Sequence, residues 1–341
     1  MRVAMYYNNK DIRIEEMPIP KISADELLVK VMACGICGSD VMEWYRIKKA
    51  PLVLGHEVTG IVEKVGENIK NYKKGDRVFV SHHVPCNTCK YCLGGNHTVC
   101  DTLRTTNFYP GGFSEYIRVP AINVQYGVYK LPDEISFEEG TFIEPLGCVV
   151  RAQRIAKVEK NQSVLVLGSG IAGLLNIKLA RALGAKKIVA TDINDYRLKA
   201  ALRADADAVI NAKEDVSKRV REANENELAD RVIVCTSAMP AIEQALKCAD
   251  RGGIVLFFAP TEPRITIQLS LWDVWHDQIT VMHSYAAAPQ DIIEAMQIIS
   301  TKKIEVKDLI THKLSIAETA KGFELVYKAQ NSIKVIIEPQ R

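Results

Sequence analysis

The amino-acid sequence predicts an α/β protein with two domains, a compact antiparallel barrel-like domain and a doubly wound parallel sheet with helices on both faces. Up to about residue 145, short segments rich in β-branched residues alternate in polarity and are separated by Gly, Pro and Asp. From Ser163 onward, apolar strands alternate with helical segments, which is typical of a parallel sheet. The 341 residues, 48% of them hydrophobic, are enough for two hydrophobic cores.

The individual elements follow from where each pattern starts and where a turn former ends it. The first part predicts four strands, at 26–34, 58–66, 76–84 and 112–120. The second part predicts strands at 163–168, 186–192, 230–236, 252–259 and 279–285, with helices at 171–185, 196–206 and 241–250. A further helix is predicted at 289–300, and we expect the apolar strand at the end of the chain to return to the first domain.

The charge balance argues against a polyanionic partner. With 44 basic and 41 acidic side chains and a net charge of +3, the chain lacks the broad basic surface that binds nucleic acid or an anionic membrane. The first residues carry charges where a secretory leader is apolar, and no run approaches the ~18 apolar residues of a membrane span. We expect a soluble cytoplasmic protein, whose nine cysteines persist as thiols or zinc ligands.

Four cysteines are spaced to hold one metal ion. Cys86, Cys89, Cys92 and Cys100 form a C-x2-C-x2-C-x7-C run among loop-forming Pro, Asn and Gly residues. Four thiolates at about 2.3 Å complete a tetrahedral zinc site and leave no open position, so such an ion is structural. Two disulfides are the alternative that the spacing alone leaves open.

A glycine pattern in the second part predicts a dinucleotide site. Gly168, Gly170 and Gly173 have GxGxxG spacing between an apolar strand and an amphipathic helix, so the backbone can approach a pyrophosphate at the helix N-terminus. The next strand ends in Asp192, about 20 residues further on, where a carboxylate binds the adenosine ribose and repels a 2′-phosphate. A helix cap is the alternative for Asp192. Arg197 would pair with a phosphate or lie over the adenine ring.

Five motifs together resemble one enzyme family. They are CGICGSD at 34–40, GHExxGxxxxxG at 55–66, the four-cysteine run, FIEPLG at 142–147 and the glycine pattern. In combination they resemble the zinc-dependent medium-chain alcohol dehydrogenases, closest to the polyol (sorbitol-type) and L-threonine 3-dehydrogenase branches. The resemblance covers nearly the whole chain, and TDINDYRLKAA at 191–201 is particularly similar to the threonine enzymes.

The resemblance implies a domain organisation, cofactors and an assembly. A GroES-like β-barrel catalytic domain with the structural zinc lobe would span 1–146, and a Rossmann NAD-binding domain would span 147–287. Residues 288–341 would return to the catalytic domain. Two Zn²⁺ ions per chain and NAD are implied, in a homo-oligomer that we expect to be a tetramer.

Residues of the catalytic zinc site are also implied by the resemblance. Cys37 and His56 would be ligands, with Glu57 and Glu144 as carboxylates that complete the coordination or exchange in it. Ser39 would carry the hydroxyl proton outward while zinc acidifies that hydroxyl.

The sequence and the resemblance also suggest roles for residues around the zinc and cofactor sites. Asp40 would orient His56, and Cys34 is expected to pack in the core instead of forming a redox pair with Cys37. Ala172 and Thr236 join the cofactor-binding candidates. His82, His83 and His97 are expected to be surface or lobe histidines and not ligands.

Three departures separate this chain from those branches. The residue three positions after the relay Ser or Thr is usually a histidine, and here it is Met42, so the proton needs another exit through water or a cofactor ribose hydroxyl. The segment 41–54, which should line the substrate cleft, is several residues shorter than usual. His283 stands where many relatives have glycine, near the expected nicotinamide end.

The predicted function is therefore NAD-dependent oxidation of a secondary alcohol, with reversible ketone reduction, on a small polyol, sugar-derived or hydroxy-amino-acid substrate. L-threonine 3-dehydrogenase is the alternative enzyme. A zinc-containing NAD-binding protein without catalysis is the alternative of a different class, and the intact set Cys37, His56, Glu57 and Glu144 argues against it, because a binding module needs no open metal site.

Overall fold

The structure, a computed structural model, describes residues 1–341, which form two units. One unit contains residues 1–147 and 286–341, and the other contains residues 148–285. The first is built on antiparallel sheets and the second on a parallel sheet, so the predicted fold class is confirmed.

Sixteen strands are present. In chain order they are β1 Arg2–Asn8, β2 Asp11–Glu16, β3 Leu27–Gly35, β4 Leu52–Val53, β5 Glu57–Val65, β6 Arg77–Ser81, β7 Tyr116–Val119, β8 Val128–Lys130, β9 Ser163–Leu167, β10 Lys187–Asp192, β11 Ala208–Asn211, β12 Ala229–Val234, β13 Ala249–Phe257, β14 Thr280–His283, β15 Ile310–Ser315 and β16 Lys334–Glu338.

The α-helices are α1 Glu43–Arg46, α2 Lys90–Leu93, α3 Asp101–Thr105, α4 Ala121–Gly127, α5 Phe137–Gly140, α6 Ile143–Ile155, α7 Ile171–Ala182, α8 Asp195–Arg203, α9 Val216–Ala223, α10 Met239–Ala245, α11 Leu271–His276, α12 Pro289–Ser300 and α13 Thr319–Lys328. Short 3₁₀ turns lie at Gly38–Val41, Ile47–Lys49, His97–Val99, Leu246–Cys248, Lys307–Leu309 and Ile316–Glu318. None of the helices has both the length and the apolar character that crossing a membrane requires.

In the first unit, one path of hydrogen-bonded strands runs in the order β15-β16-β3-β5-β6-β8, and β7 pairs with β3. All of these pairs are antiparallel except β15 with β16. A three-stranded sheet, β2-β1-β4, packs its apolar side chains into the same core, where Tyr6 contacts Phe323 of α13. The last strand of the chain joins this sheet, with Ile337 of β16 opposite Cys34 of β3.

The second unit has one six-stranded sheet in the order β11-β10-β9-β12-β13-β14, and every pair is parallel. All five residues of β9 are buried, as expected for a strand covered on both faces. From β9 the chain adds β10 and β11 on one side of the sheet, and then adds β12, β13 and β14 on the other side. Ligands of such sheets bind at the carboxyl ends of the strands where the strand order reverses, which here lies between β9 and β12.

Three of the elements that were not predicted from the sequence show why a pattern can miss an element. Helix α6 contains Pro145 and Gly147, which read as helix breakers, but Pro145 lies in the first turn, where its missing N–H costs nothing. Strand β11 has only four residues, three of them half-buried, and shows no clear alternation. Helix α9 buries only Val216 and Val220 among charged residues, which is a weak apolar pattern.

A buried ion pair joins three adjacent strands of the first unit. Lys334 of β16 donates from Nζ to the Glu57 carboxylate of β5, and the two side chains are 0% and 1% exposed. Gly35 lies between them on β3, where a Cβ atom would overlap the Glu57 carboxylate and lie 2.7 Å from Lys334 Nζ. The absence of a side chain at position 35 therefore makes room for the pair.

We expect Lys334→Met to lower the free energy of unfolding by about 3 to 5 kcal/mol, because it leaves the Glu57 carboxylate buried without its partner. Calorimetry measures the change. Lys328→Met is the matched control, since Lys328 is a half-exposed lysine paired with Glu324 on α13, and exposed pairs of this kind often contribute nothing measurable. Equal effects of the two substitutions would contradict the expectation.

Candidate functional site

The four-cysteine lobe brings its sulfurs together around one point. All four Sγ atoms of Cys86, Cys89, Cys92 and Cys100 lie within 4.8 Å of one another. The Sγ–Sγ distances are 4.0 Å for Cys86–Cys92, 3.6 Å for Cys89–Cys92 and 3.6 Å for Cys86–Cys100. Ligands about 2.3 Å from a tetrahedral centre are about 3.8 Å apart, so these sulfurs fit zinc. A disulfide has an S–S distance of about 2.05 Å, and all nine cysteines are free thiols.

The protonation of the lobe also favours a cation at its centre. Hydrogen bonds from Thr88 and from the Cys89 amide lower the pKa of Cys86 to about 5. Burial, together with the neighbouring thiols, raises the pKa of Cys92 to about 12. The Cys86 thiolate therefore forms easily while the Cys92 thiolate is opposed, and a divalent ion would remove that opposition and release the Cys92 proton.

A second cluster forms where β3 ends and β5 begins. Cys37 follows β3, Glu57 is the first residue of β5, and His56 precedes it. One ligand atom from each of the three lies within 4.8 Å of the others. A thiolate, an imidazole and a carboxylate are all zinc ligands, and three protein ligands leave a position for water or substrate, so the donor set fits a catalytic zinc.

Asp40 fixes the orientation of the His56 ring. Its Oδ1 atom lies 3.3 Å from His56 Nδ1, and its Oδ2 atom accepts a hydrogen bond of 3.1 Å from the Cys37 amide. Burial disfavours the Asp40 carboxylate, but His56, Arg46 and the Cys37 amide outweigh it and lower the pKa. With Nδ1 facing Asp40, Nε2 of His56 is the nitrogen left for a metal. The predicted contact between Asp40 and His56 is present.

Ser39 lies in the 3₁₀ turn beside this cluster, and Arg46 holds it. The Ser39 amide donates to Cys37 Sγ over 3.4 Å. Arg46 Nε donates to the Ser39 carbonyl oxygen at 2.9 Å, and Arg46 Nη2 donates to Ser39 Oγ at 3.0 Å. Met42 has no group that carries a proton.

Glu144 and Cys34 complete the expected set for this region. Glu144 lies at the start of α6 and is 9% exposed, but it is not one of the three residues whose ligand atoms cluster. Its role as an exchanging ligand stays a prediction. Cys34 is fully buried in the core, and burial raises the pKa of its thiol well above the usual value, which fits packing and not redox chemistry.

Two histidines lie beside the cluster instead of on the outer surface of the lobe. The His82 ring centroid is 4.7 Å from that of His56 and 3.8 Å from that of His83. Burial lowers the pKa of His82 well below its usual range and that of His83 to about 3, so both are neutral. The sequence analysis did not place these histidines beside His56, because their position follows from the register of β5 with β6. Ser81 pairs with Glu57 in these antiparallel strands, so the residues after Ser81 lie beside His56. His97 lies in the lobe, as expected.

The glycine pattern of the second unit has the geometry of a tight strand-to-helix turn. Gly168 has φ +93°, which favours glycine, and a Cβ at that position would lie 3.0 Å from the Thr236 side chain. A Cβ at Gly173 would overlap the Gly168 carbonyl oxygen, so only glycine lets α7 approach β9 this closely. Gly170 caps the N-terminus of α7, and Ala172 is in its first turn.

Asp192 is held in place by two backbone amides. Its Oδ2 atom accepts from Ser169 N at 2.9 Å and its Oδ1 atom accepts from Asn194 N at 3.0 Å, and the residue is 7% exposed. Arg197 approaches from α8, with Nη1 3.9 Å from Asp192 Oδ2. The Arg197 guanidinium carbon would lie 3.9 Å from a Cβ at Gly170, so this cation stands directly over the glycine turn.

His283 ends the edge strand β14 of the same sheet. Its ring stacks on Phe257 with centroids 5.4 Å apart and planes 24° from parallel. The residue is exposed, and its expected place near the nicotinamide stays a prediction.

Comparison with known proteins identifies the family. The family model of the alcohol dehydrogenase GroES-like domain matches residues 23–133, and that of the zinc-binding dehydrogenases matches residues 172–301. D-xylulose reductase A of Aspergillus clavatus is 34% identical over 96% of this chain and 93% of its own length. L-threonine 3-dehydrogenase of Bacillus licheniformis is 35% identical over 95% of this chain and 94% of its own length.

Solved structures agree with the sequence relatives. 2R,3R-butanediol dehydrogenase from Bacillus subtilis superposes with a TM-score of 0.87, at 26% identity and 99% of both chains. A zinc-binding dehydrogenase from Sinorhizobium meliloti 1021, bound to NADP, gives a TM-score of 0.89 at 25% identity and 99% of both chains. The resemblance drawn from the sequence motifs is confirmed, and the chain belongs to the zinc-dependent medium-chain alcohol dehydrogenases, in their polyol dehydrogenase branch.

Proposed function

We propose that this protein transfers a hydride reversibly from a secondary alcohol of a polyol, sugar-derived or hydroxy-amino-acid substrate to NAD. The observation that carries the proposal is the convergence of Cys37, His56 and Glu57, whose ligand atoms lie within 4.8 Å of one another beside Ser39. Relatives named for xylulose, butanediol and threonine share the fold, and all three of these compounds carry secondary alcohols or the corresponding ketone.

A zinc ion on Cys37, His56 and Glu57 would supply Lewis acidity to a substrate hydroxyl, and NAD would accept the hydride. The residues of the chain provide the rest. Asp40 keeps the His56 ring in one orientation, and the ion pair with Lys334 holds the Glu57 carboxylate in place within the core. Ser39 is both donor and acceptor, so it accepts the substrate proton as its own passes to water or to a cofactor ribose hydroxyl.

The second unit supplies the cofactor contacts in this proposal. The N-terminus of α7 and the turn at Gly168 and Gly170 would receive the pyrophosphate, and Arg197 lies close enough to the turn to assist. The Asp192 carboxylate would accept from the ribose hydroxyls and repel a 2′-phosphate. Ala172 and Thr236 border the same turn.

L-threonine 3-dehydrogenase is the second candidate, favoured by the 35% identity to the Bacillus licheniformis enzyme. The shorter segment 41–54 speaks against transferring either substrate directly, because it precedes His56 and borders Ser39 through Arg46. Because the chain belongs to a family of dehydrogenases, an enzyme is favoured over an NAD-binding protein without catalysis.

We also propose a cytoplasmic homotetramer. Trp272 and Trp275 on α11 are 65% and 68% exposed, and Leu271 beside them is 75% exposed. Strand β14 at the edge of the six-stranded sheet has a free side on which a second copy could pair. Nine free cysteines fit a reducing compartment. Light scattering that gave a monomer mass at micromolar concentration would contradict the tetramer.

The reaction is tested with a panel of diols, polyols and amino alcohols, L-threonine included. We expect the zinc-loaded protein to form NADH, measured by absorbance, with at least one of them, because the metal cluster and Ser39 adjoin. His56→Gln should abolish NADH formation, while His312→Gln on β15 should leave it unchanged. A protein with full zinc content that oxidises no member of the panel would contradict the proposed function.

Metal analysis should find two zinc ions per chain, since one site is closed by four thiolates and the other is mixed. Cys100→Ser should reduce the content to one ion and lower thermal stability more than it lowers kcat. Cys248→Ala, which also removes a buried thiol but lies outside both clusters, should keep two ions. A single zinc ion in the wild type, or a disulfide within the lobe, would contradict the prediction that the four cysteines bind a structural zinc.

The cofactor preference is expected to be NAD over NADP. Asp192→Asn should lower kcat/KM for NAD roughly 10- to 100-fold, since a hydrogen bond to a charged group contributes about 1.5–3 kcal/mol, while NADP improves through lost repulsion. Asp195→Asn is the control, because it removes the same charge from an exposed residue at the start of α8, just after Asp192 in the chain. A higher kcat/KM for NADP in the wild type would mean that Arg197 dominates.

A further inference from the structure

Arg46 is the cation nearest to the candidate proton carrier. It lies at the end of α1, inside the short segment 41–54, and its side chain is only 16% exposed. Its guanidinium reaches back to donate to the carbonyl oxygen of Ser39 at 2.9 Å and to the Ser39 hydroxyl at 3.0 Å. Two nitrogens of one planar group thus bind the backbone and the side chain of the same residue.

The guanidinium is itself held from two further directions. Nη2 lies 3.6 Å from Oδ1 of the fully buried Asp40, and the guanidinium carbon lies 4.7 Å from the centre of the Tyr45 ring. Since the ring, the carboxylate and the Ser39 carbonyl fix its plane, the direction of the Nη2–H donor is fixed as well.

This donor determines what the Ser39 hydroxyl can still do. A serine hydroxyl has one O–H donor and two acceptor lone pairs. Arg46 occupies one lone pair, so the other lone pair and the O–H remain for an incoming proton and an outgoing proton. A guanidinium has five N–H donors and no acceptor, so Arg46 does not accept the proton itself.

We propose that Arg46 is a positioning residue that orients the Ser39 hydroxyl for proton transfer, in a chain where the Met42 side chain has no proton to pass on. The substrate hydroxyl gives its proton to the free lone pair of Ser39, and Ser39 gives its own proton to water or to a cofactor ribose hydroxyl, so the side chain ends neutral. This inference rests on the proposed function, because it assigns Arg46 a role only through Ser39.

A double-mutant cycle tests the inference with the zinc-loaded protein and its best substrate. Ser39→Ala should lower kcat roughly 10²- to 10⁴-fold, as expected for a positioned acid–base group. Arg46→Ala should lower kcat roughly 10- to 100-fold, since misplacing a reacting group costs up to about 10²-fold. In the Ser39→Ala background, Arg46→Ala should add less than about 2-fold, because coupled residues are not additive.

Two further measurements separate positioning from a structural role. Guanidinium ion added to the Arg46→Ala protein should restore part of kcat, whereas Arg46→Lys should recover less, since an ammonium lacks the rigid planar fork that binds Ser39 O and Oγ through two nitrogens. A crystal structure of the Arg46→Ala protein should show the Ser39 side chain in more than one rotamer. Lys21→Ala, which removes an exposed cation of the same unit outside segment 41–54, should change neither kcat nor the Ser39 rotamer.

Several outcomes would overturn the inference. An Arg46→Ala loss that is equally large with and without Ser39 would assign the cation a direct contact with the substrate. A loss that appears only in KM would do the same. If Ser39→Ala kept full kcat, Ser39 would not carry the proton, and Arg46 would have no residue through which to act. Failure of the wild type to oxidise any alcohol would instead count against the proposed function, so the two failures are distinguishable.

Discussion

The buried pair between Lys334 and Glu57 is the constraint on which the first unit depends. Burying two charges is costly, and a pair of this kind is weak evidence for stability, because its attraction only offsets the lost hydration. Its value here is positional. Glu57 belongs to the cluster with Cys37 and His56, and Lys334 comes from the last strand, 277 residues away in the chain. The cluster therefore has its full set of contacts only when β16, β3 and β5 are in register.

The same device, an acid held by donors that cannot move, recurs at the other candidate sites. Asp40 accepts from the Cys37 amide and faces His56, so Cys37 orients Asp40 and Asp40 orients His56 within the same cluster. Asp192 accepts from the amides of Ser169 and Asn194 and keeps its carboxylate in place at the end of β10. Fixed donors of this type need no reorganisation when a ligand arrives, which is the condition for selective binding and for catalysis.

The sequence was sufficient wherever the information is local. The strands of the parallel sheet, the glycine turn and the cysteine lobe each occupy one short stretch, and periodicity or spacing reveals them, whereas the family resemblance points to the adjacent His56 and Glu57. It was insufficient where strand pairing creates the neighbourhood. His82 and His83 reach His56 only through the register of β5 with β6, and Lys334 reaches Glu57 only across β3. Helix α6 was hidden for a different reason, since Pro145 is tolerated in its first turn.

The segment 41–54 contains Met42, which the resemblance marks as a departure from the usual histidine, and the contacts of Ser39 give this departure a chemical meaning. A histidine at position 42 would offer a titrating group, whereas Met42 offers none, and the nearest polar partner of Ser39 Oγ is a permanent cation. Such a cation cannot take the proton away, but it stabilises negative charge that develops on the hydroxyl oxygen as its proton leaves. Proton exit then depends on a second acceptor beyond Ser39. Residues of the same short segment hold Ser39 and lead directly into His56, so under the proposed function this segment would also influence substrate choice.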